Sequence, residues 1–255
     1  MNEAELVRLR AEVAGWQHRV GVVETSDGKV VVKGQRPARS AWRARAVNLV
    51  ARAFGLRLLQ AVPARGGAEG QATEVRRLRA LAAAGVRVPA VLEVEPAFIV
   101  IGHIEGRSLV ELIEQGGAAG HEAWQRGMAA LVDLHSRGAC LSHAFARNFL
   151  ATDAGLAMID FEDDPLEVLT LDEAQARDWL AYLHSTVWLL QGERAEIGRR
   201  VGAELAREKP AVRNLLSAAG ERLAVLRHLP RSRRPWGREV VGVQALASLF
   251  PLQPA

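Results

Sequence analysis

Hydrophobic and polar positions change their period along this chain, and the change divides it into a strand-rich first part and a helical second part. Val20 to Glu24 is a β-branched run, Ser26-Asp27-Gly28 carries turn chemistry, and Lys29 to Lys33 holds a second valine run, so residues 17–35 predict a hairpin. Trp42, Ala46, Leu49, Val50 and Phe54 then recur at helical spacing, predicting a helix over 40–54 that Gly55 stops. Ala61 to Gly70 reads as a loop. A second helix over 71–84 puts Val75, Leu78 and Ala82 on one face and its arginines on the other. Val91 to Val94 and Ala97 to Ile104 are apolar strands, Glu105-Gly106-Arg107-Ser108 is a turn, and Leu109 to Glu114 is a short helix.

Beyond residue 120 the helical period dominates. Trp124, Met128, Leu131, Val132 and His135 form one amphipathic face, closed by Gly138. Short strands follow at 149–151 and 156–159, joined by Thr152-Asp153-Ala154-Gly155. Thr170-Leu171-Asp172-Glu173 is a capping box opening a helix to about Leu190. Further helices are predicted at 193–208, at 210–228 with Pro210 in the first turn, and near 239–249. The fold class expected is α+β, with residues 1–104 as a small strand-rich N-lobe and residues 105–255 as a larger helical C-lobe.

Composition narrows the function classes. Of 255 residues, 49% are hydrophobic and 24% charged, which is globular rather than disordered. Apolar stretches such as 97–101 are too short to span a bilayer. The acidic N-terminus lacks the apolar region of a secretory leader, and the single Cys140 excludes a disulfide framework, so a cytoplasmic location is expected. The net charge is +4, and arginines cluster at Arg36, Arg39, Arg43, Arg45, Arg52 and Arg57 and again at Arg231, Arg233, Arg234 and Arg238. Such clusters either attract phosphorylated or anionic-lipid partners or form solvated helix faces. Few aromatics interleave with them, so no nucleic acid is expected. An anionic membrane surface met by the arginine-rich helix at 39–57, peripheral to an inner membrane, is one expectation.

Four residues occur in an informative order. Lys33 ends the strand Val30-Val31-Val32-Lys33, Glu74 sits mid-helix, Asn148 closes the loop after the long amphipathic helix, and Asp160 ends the strand in Met158-Ile159-Asp160-Phe161-Glu162. Over roughly residues 17–190 this order resembles the protein-kinase-like superfamily. The Ile-Asp-Phe-Glu turn is similar to the atypical branch of RIO-type, aminoglycoside-phosphotransferase-like and lipopolysaccharide-core (Kdo/heptose) kinases. The stretch from Gly66-Gly67 through Glu74 to Val88-Pro89 looks most like the bacterial lipopolysaccharide-kinase-like and toluene-tolerance-type proteins. The resemblance implies that Lys33 contacts ATP phosphates and pairs with Glu74. It also implies that Asp160 and Asn148 hold Mg²⁺, and that Asp178 accepts backbone N–H bonds from the catalytic loop. Taken singly the same residues have bland readings: Lys33 a surface turn, Glu74 a helix-surface partner of Arg77, Asn148 a cap, Asp160 part of a solvated acidic turn.

The chain departs from the family's pattern at the catalytic loop. Counting back from Asn148 in Leu141-Ser142-His143-Ala144-Phe145-Ala146-Arg147-Asn148, the base aspartate's position holds His143 and the motif histidine's position holds Leu141. No register recovers the acid. Neutral His143 can accept a proton, or it is a packing residue. No glycine-rich loop precedes the first hairpin, and Glu162, Asp163 and Asp164 either aid metal binding or form an acidic turn, the reading favoured. Zinc-type spacing is absent around His121, His135, Cys140 and His143, and Cys140 with His143 lacks a third group for nucleophilic chemistry. Two functions are expected: an ATP- and Mg²⁺-dependent phosphotransferase acting on a lipopolysaccharide-core sugar, small hydroxyl compound or protein, or a pseudokinase serving as a regulatory or scaffolding module.

Overall fold

A computed structural model describes residues 2–37, 48–49, 55, 57–63, 65–141 and 143–250. Most of the arginine-rich helix expected at 39–57 lies outside the described residues. The fold is mixed α+β with two antiparallel sheets. The first sheet has the order β1-β2-β4-β3, from β1 (Val20–Thr25), β2 (Gly28–Gly34), β3 (Val91–Val94) and β4 (Phe98–Gly102). The second joins β5 (Arg107–Ser108), which the sequence pattern reads as turn, to the hairpin β6 (Phe149–Thr152) and β7 (Gly155–Met158).

The two tight hairpins share one local device. Gly28 and Gly155 take φ of 112° and 108°, a region closed to other residues, and in each turn the threonine three residues earlier donates its hydroxyl to that glycine's carbonyl at 2.7 Å.

Strand β4 explains the layering. Phe98, Ile99, Val100 and Ile101 are all buried, so both faces of the strand are covered. On one face, Phe98 and Val100 pack with Val30, Val32, Leu6 and Leu9. The last two come from helix α1 (Glu3–Ala14), which the sequence pattern does not predict. Asn2 and Glu5 form its capping box, Glu5 also accepts from Ser26 N at 2.6 Å, and Arg10 grips Glu95 with two 2.9 Å bonds.

The opposite face, Ile99 and Ile101, joins the main core. There it meets Val75, Leu78 and Leu81 of α2 (Gly67–Ala83), which begins four residues earlier than its periodicity suggests. Helices α3 (Leu109–Glu114) and α4 (Gly117–Ser136) continue that core, and every residue of the expected α4 face, from Trp124 to His135, is buried. The capping box at Thr170 and Glu173 opens α5 (Leu171–Thr186), whose Trp179 and Tyr182 are fully buried. Then come α6 (Arg194–Leu205), α7 (Pro210–Leu223) and α8 (Arg233–Ala247), the last interrupted by non-helical backbone at Arg234 and Gly237. Among the described residues no helix is long and apolar enough to cross a membrane.

Candidate functional site

Strand β2 alternates faces, so Val30 and Val32 point toward α1 while Val31 and Lys33 point toward α2. Glu74, on the buried side of α2, meets Lys33 with Nζ 2.5 Å from its Oε1. The bland readings of a surface-turn lysine and a helix-surface glutamate are overturned: Glu74 is buried, Lys33 is largely covered, and the two pair across 41 residues. Lys33 also lies 3.1 Å from Glu162 Oε1, which ties the strand to the turn after β7.

That turn begins with Asp160, whose φ of 71° makes it the one non-glycine residue with a left-handed backbone among the described residues. The conformation costs roughly 1–2 kcal/mol, and aspartate tolerates it better than most residues. It reverses the chain so that Phe161 enters the core while Glu162 and Asp163 turn toward cations. Among the described residues the Asp160 carboxylate has no hydrogen bond or ion pair, and its charge is felt by Glu74. Asn148 stands beside it: Phe149 pairs with Met158, and Ile159 N donates to Asn148 O at 2.9 Å, so Asn148 and Asp160 share the open end of the β6–β7 hairpin. Asn148 spends its amide N–H on His143 O at 2.9 Å, which leaves its carbonyl oxygen as an acceptor.

The acidic turn is not solvated, as the sequence suggested, but buried: Glu162 is 7% and Asp163 4% exposed. Three cations account for this, Lys33 and two arginines. Arg19 reaches Glu162 at 2.6 Å, Arg36 reaches it at 3.0 Å, and Arg36 also pairs with Asp163. Burial pushes the Glu162 carboxyl up, but Lys33 and Arg19 outweigh burial and hold it down at about 2. Glu74 shares only Lys33, so burial and the neighbouring Glu162 and Asp160 carboxylates carry it above its ordinary value. Burial works against the Lys33 ammonium too, yet Glu74 and Glu162 keep it firmly protonated.

The sign for stability follows from the depressed Glu162 value. Its contribution is complete above the unfolded value near 4.5 and is lost as pH falls through about 2, a total of about 3 kcal/mol. Urea titrations of wild type and Glu162→Gln between pH 6 and pH 3 should therefore converge as pH drops. Parallel curves would mean that the carboxylate is not held by its cations.

Residues 139–141 and 143–148 are held by side chains from two helices. Asp178 of α5 accepts Leu141 N at 2.6 Å, in the scaffold role the resemblance implied. Gln175 donates to Ala139 O at 2.9 Å, Ser185 accepts Ala146 N at 3.0 Å, and Arg77 of α2 donates to Cys140 O at 2.7 Å. Behind Asp178 lies His135, 3.4 Å from it through Nε2 and 2.7 Å from Glu208 through Nδ1; Glu208 also accepts Trp179 Nε1–H at 2.8 Å. Burial disfavours the imidazolium, but the two carboxylates raise His135 above its ordinary value. His143 turns Nε2 toward Asp163 Oδ2 at 3.6 Å and stacks on Phe145. Burial lifts the Cys140 thiol to about 12.

The structure thus joins Lys33 to Glu74, sets Asn148 beside Asp160, and brings His143 to the acidic turn. Sequence reasoning missed the partners Arg19, Arg36, Arg77, His135 and Glu208. Arg77, expected on the polar face of its helix, is instead buried on the core side, where it donates to Cys140 O. The chain matches no known protein-family model, and comparison with curated proteins finds no significant relative.

Proposed function

We propose that this chain is an atypical kinase-like protein, with residues 1–104 and 105–255 as its two lobes, that binds ATP with Mg²⁺ and transfers a phosphoryl group to a hydroxyl acceptor. The observation that carries the reading is the Lys33–Glu74 pair, tied through Glu162 to the turn that presents Asp160. A roof for the base supports it. Val20 and Val22 are 42% and 57% exposed and stand directly opposite Lys33 and Val31, on the same sheet face.

The oxygen donors fit a hard cation. The Asp160 carboxylate, unpartnered among the described residues, and the Asn148 side-chain carbonyl would be two ligands, and Mg²⁺ commonly takes one or two from protein with the remainder from phosphates and water. Bound there, it would neutralise charge on the transferring phosphoryl oxygens. Lys33 would orient the phosphate chain, and Glu74 would fix Lys33. His143, placed where the family has its aspartate, would take the acceptor hydroxyl's proton as the new O–P bond forms and the bond to the leaving ADP breaks, with Asp163 facing the resulting imidazolium. A second reading is favoured by that same histidine. With no carboxylate at the base position, the fold serves as a nucleotide-binding pseudokinase.

Thermal unfolding with Mg²⁺-ATP tests the binding claim. At a hundredfold excess over Kd the gain is about 2.7 kcal/mol, or roughly 5–10 °C in Tm for a chain of this size. Asp160→Ala and Lys33→Met should abolish the shift, and no shift of the wild type at millimolar ATP would end the reading. ATP turnover that drops about 10²–10⁴-fold in His143→Ala assigns the transferase. Binding without turnover assigns the pseudokinase.

A further inference from the structure

Residues 15–19 occupy a position of consequence. Val20 pairs with Lys33, and Gly34 N donates to Arg19 O at 2.7 Å, so the turn from α1 into β1 hangs over the Lys33 end of the sheet. Backbone amides of a flexible glycine loop are absent there, since α1 leads directly into the turn. Instead Arg19 projects a guanidinium to within 2.6 Å of the carboxylate that Lys33 also contacts. Arg36 approaches the same carboxylate from the other side, held by its Nε bond to Arg65 O at 3.0 Å. Three cations therefore converge on one anion, and the space left between them holds about one water molecule.

Apart from Asp160, whose carboxylate the nucleotide-site reading gives to Mg²⁺, the charges balance in this arrangement: Arg19, Lys33 and Arg36 face Glu74, Glu162 and Asp163. If Glu162 swings out, the cluster gains an unmet positive charge and a carboxylate-sized opening. The opening adjoins a groove of about 580 Å³ lined by Trp16, His18, Arg19, Gln35 and Phe98, within the range of ligand sites. Arg19, Gly34 and Gln35 border both spaces.

Building on the nucleotide-site reading, we propose that Arg19 and Arg36, together with Lys33, form a side-chain cradle for the ligand's phosphates, and that Glu162 is an internal anion which the phosphates must displace. Guanidinium forks suit phosphate oxygens as well as they suit a carboxylate, so one set of donors serves both occupants. The cost of displacing Glu162 lowers apparent affinity, since ligand binds only the fraction of molecules with the cradle vacant.

The test is calorimetric titration of the full chain with inorganic tripolyphosphate, and separately with Mg²⁺-ATP. Glu162→Gln keeps the shape and removes the charge, and should bind tripolyphosphate at least tenfold tighter than wild type. Adding Arg19→Gln should erase that gain. Arg19 lies at the rim, so Arg19→Gln alone should fold and bind at least threefold more weakly than wild type, which keeps the test open if Glu162→Gln fails to fold. Equal or weaker binding by Glu162→Gln, or no effect of Arg19→Gln, overturns the cradle. If ATP still binds wild type in an Asp160-dependent way, that result leaves the nucleotide reading standing. Tighter tripolyphosphate binding without Asp160-dependent ATP binding keeps the cradle and removes the nucleotide.

Discussion

Asp178→Ala should cost the fold about 3–5 kcal/mol, the range for removing one partner from a buried charged pair. Asp178 is 1% exposed and serves two masters, the Leu141 amide and the His135 ring. Without it Leu141 N loses its acceptor in the interior and His135 keeps only Glu208. Asp178→Asn retains an oxygen for the amide and should lose less. Urea titration at pH 7 checks both, and a loss below about 1 kcal/mol for the alanine variant would show that the network does not hold the loop. The same network sets a pH dependence. His135 titrates above its unfolded value, so its contribution is full below about 6.5 and fades as pH rises through the raised folded value.

Gly127→Ala should be the second large loss. Gly127 faces α5 where the helices cross, and an added Cβ would overlap the Tyr182 hydroxyl and come within 2.7 Å of Leu109 Cδ2. Tyr182 has nowhere to retreat: it is fully buried, and its hydroxyl donates to Trp124 O at 2.7 Å. Overpacking together with loss of that bond should cost about 2–4 kcal/mol. Gly198→Ala, with no neighbour beyond its own helix within 4 Å of the added carbon among the described residues, should instead stabilise α6 by up to about 1 kcal/mol. If the two variants unfold alike, helix propensity rather than close packing governs both positions.

Local signals carried most of the elements. Hairpin turns, the Thr170 capping box and the α4 stripe depend on residues a few positions apart, and each formed where its pattern indicated. Helix α1 was missed although its signs are present. Asn2 and Glu5 make a capping box, Leu6, Leu9 and Val13 share a face, and the unbroken apolar run of β4 required a cover on its second side. An acidic terminus with weak amphipathy concealed them.

In the site, Lys33 and Glu74 were legible because a strand-end lysine and a mid-helix glutamate each sit in a recognisable local context. Glu162 and Asp163 were read as an acidic turn because nothing nearby in sequence neutralises them. Arg36 comes from 126 to 127 residues away and Lys33 and Arg19 from farther still, so only the folded chain supplies these partners. Asp160's left-handed backbone was equally hidden, since the residue type permits that conformation without demanding it.

Helix α1 has one further consequence, for the order of events at the ribosome. Leu6 and Leu9 leave the ribosome well ahead of two of the side chains they cover, since Phe98 and Val100 come some ninety residues later. At roughly 5–20 residues per second, several seconds pass in which the helix has only the β1–β2 hairpin beside it and part of its apolar stripe stays uncovered. A nascent chain stalled before β4 should therefore expose that stripe to whatever binds apolar segments at the exit tunnel, and release of the stripe marks completion of the sheet.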